Sequence, residues 1–150
     1  MAEGQKRNVH QRMLVGGMVL VLIGVVLGLK AWQEDWFSPV TPVEIPPQPV
    51  LLLFNRYRGC ECALNVYKAA ERQVEVWPEE ARSSVPVIVI NLDRHPDLGQ
   101  RFKVQRAPTL ILLDEAGRVI YQQNEVIQDD LPLDLKTFEQ KIREMKHGRE

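Results

Sequence analysis

Cysteine is scarce in this chain of 150 residues: there are only two, and they sit together as Gly59-Cys60-Glu61-Cys62. A disulfide framework spread across a fold is therefore excluded, and a bond between these two would close so short a loop that it restrains the unfolded chain very little. Charge of one sign is lacking too. The formal net charge is -1, and no segment reads as a basic patch, so there is no electrostatic reason to expect a nucleic-acid partner. Histidine is limited to three residues. None is spaced with an aspartate to make a hydrolytic triad with Ser83 or Ser84, and a Gly-rich phosphate loop is also missing.

One stretch lacks charge altogether. Met13 to Leu29 is an unbroken apolar run, which as a helix extends about 25 Å and is lengthened at its edge by Ala31 and Trp32. We read a transmembrane helix over 13–32, after an N-terminal segment over 1–12. Lys6, Arg7 and Arg12 precede the run while Glu34 and Asp35 follow it, which predicts a cytoplasmic N-terminus and an extracytoplasmic remainder, at the cell membrane. A cleaved signal peptide is the competing reading of a basic flank before an apolar stretch. Against it, the run exceeds a usual signal core, and Leu29-Lys30-Ala31 is a poor cleavage site. No cysteine lies near the end of the run, so a lipid-modified cysteine is not expected there.

Prolines at 39, 42, 46, 47 and 49 then mark 33–49 as an extended spacer, and 50–150 as the folded domain. In that domain strand and helix patterns alternate. Val50 to Phe54 is an apolar strand, followed by Ala63, Tyr67, Ala70, Val74 and Trp77 at helical spacing. Pro86 to Asn91 reads as a buried strand of β-branched residues, and Pro96 opens a short helix carrying Leu98 and Phe102. Thr109 to Leu113 and Arg118 to Gln123 flank a turn at Gly117, and a last helix over Asp134 to Lys146 is capped by Asp134. The order β-α-β-α-β-β-α predicts an α/β domain: a four-stranded mixed sheet with flanking helices, its first crossover parallel and its last pair a hairpin.

The cysteines fall where the first strand meets the first helix of this domain. A helix N-terminus offers unpaired N–H groups and the positive end of the dipole, both of which favour thiolate over thiol. Residues two apart on a helix point to nearly opposite sides, so Cys60 and Cys62 can bond only if Cys60 lies ahead of the first turn. Such a bond would be strained and readily reduced. Arg56 and Arg58 would stabilise a nearby thiolate and Glu61 would oppose it.

Leu92-Asp93-Arg94-His95-Pro96-Asp97-Leu98, Phe102, Val104, Ala107-Pro108-Thr109-Leu110 and Gly117 together resemble the thioredoxin-like superfamily from its second strand, through its proline loop, to its hairpin turn. The turn Leu113 to Arg118 is similar to that of the membrane-tethered, extracytoplasmic branch concerned with keeping thiols reduced or moving disulfides. The resemblance implies a thioredoxin-like fold over 50–150, a cis Pro108, and a peptide-docking edge formed by Ala107, Pro108 and Thr109. The site departs from the family's Trp-Cys-x-x-Cys: one residue separates the cysteines, and no tryptophan precedes them. Two alignments fit, one matching Cys62 to the resolving cysteine with Gly59 in the attacking position, the other sliding Cys60 onto the attacking position. Leu53 stands where the family has a buried acid.

The implied function is a membrane-anchored extracytoplasmic thiol-disulfide oxidoreductase in which Cys60 attacks and Cys62 resolves. It would use no bound cofactor, would act on extracytoplasmic protein thiols and disulfides, and would exchange electrons with a membrane donor or acceptor. Two alternatives remain. One is a redox-inactive protein-binding module of the same fold; the other is a Cu(I) site on the Cys-x-Cys pair, for which His95 is the nearest candidate third ligand and a poor one.

Overall fold

The computed structural model describes residues 16–30 and 41–148. The chain divides into two compact units, Met1–Val40 and Thr41–Glu150. In the first, residues 16–30 form a helix, α1, whose Met18, Val19, Leu20, Val21, Leu22 and Ile23 are all exposed. Consecutive apolar residues leave the helix no polar face, so it has no amphipathic stripe with which to join a globular core. No helix among the described residues is long and apolar enough to cross a membrane. Positions 13–15 and 31–32 of the expected span lie outside the described residues, as does the whole basic flank over 1–12.

The second unit is the α/β domain. Its elements are β1 (Val50–Asn55), α2 (Glu61–Glu75), β2 (Val87–Asn91), α3 (Pro96–Arg101), β3 (Thr109–Leu113), β4 (Val119–Gln123) and α4 (Leu135–His147). Among the described residues the sheet is four-stranded in the order β2-β1-β3-β4. β1 runs parallel to β2 and antiparallel to β3, and β3 to β4 is the antiparallel hairpin expected around Gly117. Its turn closes through Gly117 N–H to the Asp114 carbonyl at 3.0 Å, with Gly117 at φ 73, where an L side chain would be strained. The buried Asp114 carboxylate is held below the usual carboxylate range first by the backbone N–H of Arg118 at 2.9 Å, then by the Arg118 guanidinium, whose Nε donates at 2.8 Å, and by the Ala116 N–H at 2.9 Å.

Period-two alternation along β1 sends side chains to both faces, and both are covered. Leu51 and Leu53 face Ala70, Trp77, Phe138 and Ile142 from α2, its following turn and α4. Val50, Leu52 and Phe54 face Leu98 and Phe102 from α3 and the residue after it. The rings of Tyr121 and Phe138 meet edge-on at 4.9 Å, within the range such pairs favour. α4 starts as expected, with Asp134 accepting from the Thr137 N–H at 3.2 Å.

Two features differ from the sequence reading. β2 is not a fully buried strand: it stands at the sheet edge, so Val89 is 44% exposed and only Ile90 is completely covered. A run of β-branched residues marks strand propensity, but whether both faces are covered depends on the neighbours. The compact domain also begins at Thr41, before Val50, because Val43 and Ile45 pack against the core beneath α3. The end of the proline-rich segment is therefore part of that unit's packing.

Candidate thiol site

Glu61 opens α2, and Cys60 immediately before it is the N-cap, with extended backbone at φ -71 and ψ 159. This meets the geometric condition for pairing. Because Cys60 stands off the helical path, its Sγ comes within 2.7 Å of the Sγ of Cys62, and both residues are exposed. Gly59 turns the chain into this position at φ 156, a value L residues rarely adopt. A cysteine at 59, as in the family's spacing, would carry a side chain on that backbone.

The two thiols differ in acidity. Cys60 is held below its ordinary value, first by the hydrogen bond from the Cys62 thiol, then by the backbone N–H of Ala63; slight burial works against this. Cys62 moves the other way, because it gives its hydrogen bond to Cys60 and because a second negative charge beside the first is unfavourable. The two thiols are coupled, so they lose their protons one after the other and not together.

Arg56, predicted to tune the thiolate, lies 4.0 Å from the carboxylate of Asp93. Arg58 and Glu61 are exposed on either side of Cys60, and the Arg58 backbone N–H donates to Asp93 at 3.2 Å. Ala107-Pro108 is a cis peptide, as the resemblance implied. Of the expected docking edge, Ala107 is half-buried, whereas Pro108 and Thr109 are buried, and Thr109 Oγ1 donates to the Arg106 carbonyl at 2.7 Å. Among the described residues no group of three or more His, Cys, Asp or Glu is arranged to hold a metal ion.

Two contributors to the site were not singled out from the sequence. Asp93, after β2, accepts from the backbone N–H groups of Tyr57 at 3.0 Å and Arg58 at 3.2 Å, fixing the loop that carries the cysteines. Its signal was its place in the turn Asp93-Arg94-His95-Pro96, which says nothing of a partner 35 or 36 residues earlier. Glu71 on α2 accepts from the buried Asn55 Nδ2 at 3.0 Å and from the Tyr57 hydroxyl, whose pKa burial and Glu71 push up to about 12. Asn55 also donates to the Tyr67 carbonyl at 2.9 Å, so α2 is tied to the end of β1 just ahead of the cysteines.

A βαβ unit entering a four-stranded mixed sheet, a thiol pair at its strand-to-helix junction and a cis proline opening the antiparallel strand define an α/β domain that fits a thioredoxin-like fold. No protein-family model and no curated protein matches the chain. Solved structures similar to it include a thioredoxin from Nicotiana alata, 20% identical, covering 77% of this chain and 84% of that one, with a TM-score of 0.47. They also include a thioredoxin-like protein from Edwardsiella tarda, 21% identical, covering 63% and 81%, at 0.45. A disulphide isomerase from Xylella fastidiosa is 17% identical and covers 66% and 79%, at 0.44.

Proposed function

We propose that this protein is a thiol-disulfide oxidoreductase acting on protein thiols and disulfides, with Cys60 as the attacking residue and Cys62 as the resolving one. The observation that carries the reading is the contact between them: Cys60 is the extended N-cap of α2, which brings its sulfur within 2.7 Å of that of Cys62. In the reducing direction the Cys60 thiolate attacks one sulfur of a client disulfide, forming a mixed disulfide and releasing the other client sulfur as thiolate. Cys62 gives up its proton and attacks the Cys60 sulfur. The second client thiolate leaves, and the Cys60–Cys62 disulfide forms. Two electrons pass to the client, and the reverse sequence oxidises a dithiol. No bound cofactor enters either direction.

We further propose that the protein is anchored in the cell membrane by a helix over 13–32, with its thiol domain on the extracytoplasmic side and a membrane electron donor or acceptor resetting the pair. Supporting this are the helix over residues 16–30, apolar on every side, and the basic residues Lys6, Arg7 and Arg12 that precede it. The fully buried Leu53, in place of the family's acid, favours a second reading, a redox-inactive module that docks a client beside Pro108.

The test is the Cys62→Ala variant of the full chain, exposed to extracytoplasmic proteins and separated on non-reducing gels. Exchange chemistry predicts mixed disulfides that accumulate on Cys60 and disappear with reductant or with Cys60→Ser. Capture that is unchanged by either substitution would sink the oxidoreductase reading in favour of docking.

A further inference from the structure

Beside the thiol loop lies an open groove of about 540 Å³ whose floor includes Leu92 and Val104 and whose walls include Arg56, Lys103 and Arg106. All three cationic residues are exposed. Of the described residues that line the groove none is acidic; Asp93, 4.0 Å from Arg56, already accepts two backbone N–H groups. The concentration of positive charge is local, since the chain as a whole carries a formal net charge of -1. Its position follows from the fold. Arg56 is in the loop between β1 and Cys60, and Arg106 is two residues before the cis Pro108, with its carbonyl tied to Thr109 at 2.7 Å.

Lys103 supplies the second line of argument. It follows α3 at φ 53, with its N–H on the Gln100 carbonyl at 3.1 Å and the Val104 N–H on the Gly99 carbonyl at 2.8 Å. These paired bonds form a helix-ending motif in which this position ordinarily takes glycine, because a Cβ in the left-handed region is unfavourable. The chain carries lysine there, and the lysine lines the groove.

We propose that this groove is a specificity site for acidic client segments: it engages aspartate and glutamate side chains flanking the client cysteine, and so selects which disulfides reach Cys60. The inference rests on the oxidoreductase reading only for its statement that the client brings a disulfide. A peptide fits the site better than a lipid surface does, because the cations surround a concave, partly apolar floor, and one of them, Arg106, has its carbonyl tied to Thr109 after the cis proline.

The test uses the full chain in mild detergent and two fluorescein-labelled peptides without cysteine, one glutamate-rich and one with glutamine in the same places. Fluorescence anisotropy is expected to give about three- to tenfold tighter binding of the glutamate peptide, from exposed pairs that are individually weak, with the preference shrinking in salt. Lys103→Glu with Arg106→Glu should abolish or invert the preference, and Lys103→Gly, which relieves the backbone, should weaken it with the fold intact. Equal affinity for the two peptides overturns the proposal. So does binding to phosphatidylglycerol vesicles, and not to either peptide, that the same substitutions remove. Exchange with matched peptide disulfides separates the two readings. Preferential binding without exchange keeps the groove and removes the oxidoreductase, whereas equal exchange of both disulfides without preferential binding does the reverse.

Discussion

At the scale of single residues, the order in which the two thiols ionise follows from which one donates. A thiol pointing at a neighbouring sulfur stabilises the thiolate there and retains its own proton, so the contact that lowers Cys60 raises Cys62. Cys62→Ala removes the largest cause of the Cys60 shift. The midpoint of Cys60 alkylation by iodoacetamide, followed by mass across pH, should then move upward towards the ordinary thiol value of about 8.5. Cys62→Ser, which retains a donor, should move it less. An unchanged midpoint in Cys62→Ala would mean that the backbone N–H groups, not Cys62, acidify Cys60. The cysteines and their place at a helix start were legible from the sequence because strand, cap and helix are contiguous along the chain. The Asp93 clamp was not, because the N–H groups it accepts from are 35 and 36 residues away, and a carboxylate in a turn reads the same with or without them.

Elements show where local preference and function part. Lys103, just beyond the end of α3, holds a conformation that glycine adopts without penalty, so Lys103→Gly should stabilise the domain by about 1 kcal/mol, offset partly by the greater freedom of glycine in the unfolded chain. Chemical denaturation of the full chain is the measurement, and a loss of stability would show that the Lys103 side chain contributes packing that outweighs the backbone strain. Combined with weaker binding of acidic peptide, a gain would mark this lysine as retained at a cost to stability. α4 and its cap at Asp134 were readable in advance because capping and amphipathic spacing are local. β2 was readable as a strand but not as an edge, since β-branched residues report backbone preference and the sheet order decides what lies beside them.

For the molecule as a whole, the boundary of the thiol domain matters to how it is cut and studied. Val43 and Ile45 are half-buried against the core cluster on one face of the sheet, to which Phe54, Leu98 and Phe102 belong. A chain beginning at Val50 should therefore unfold at lower denaturant than one beginning at Thr41, by about 1–3 kcal/mol for partial exposure of two aliphatic contacts. Equal stability in urea would show that these contacts add nothing to the fold. The composition of 33–49 pointed to an extended spacer, because proline density is visible in sequence whereas the docking of two isolated aliphatic residues is not.

The order of strands and helices, the placing of a thiol pair at a helix start, the turn at Gly117 and the cap at Asp134 were determined by the sequence on its own. Each depends on periodicity, backbone preference or hydrogen bonds within a few residues, which the linear chain already contains. Only the tertiary structure decided that β2 forms an edge, that Asp93 fastens the cysteine loop, that the sulfurs of Cys60 and Cys62 meet, and that Arg56, Lys103 and Arg106 line one groove. Those outcomes depend on which distant segments packing brings together, and on rotamers chosen in that packed environment, so the same residues read singly along the chain carry no trace of them.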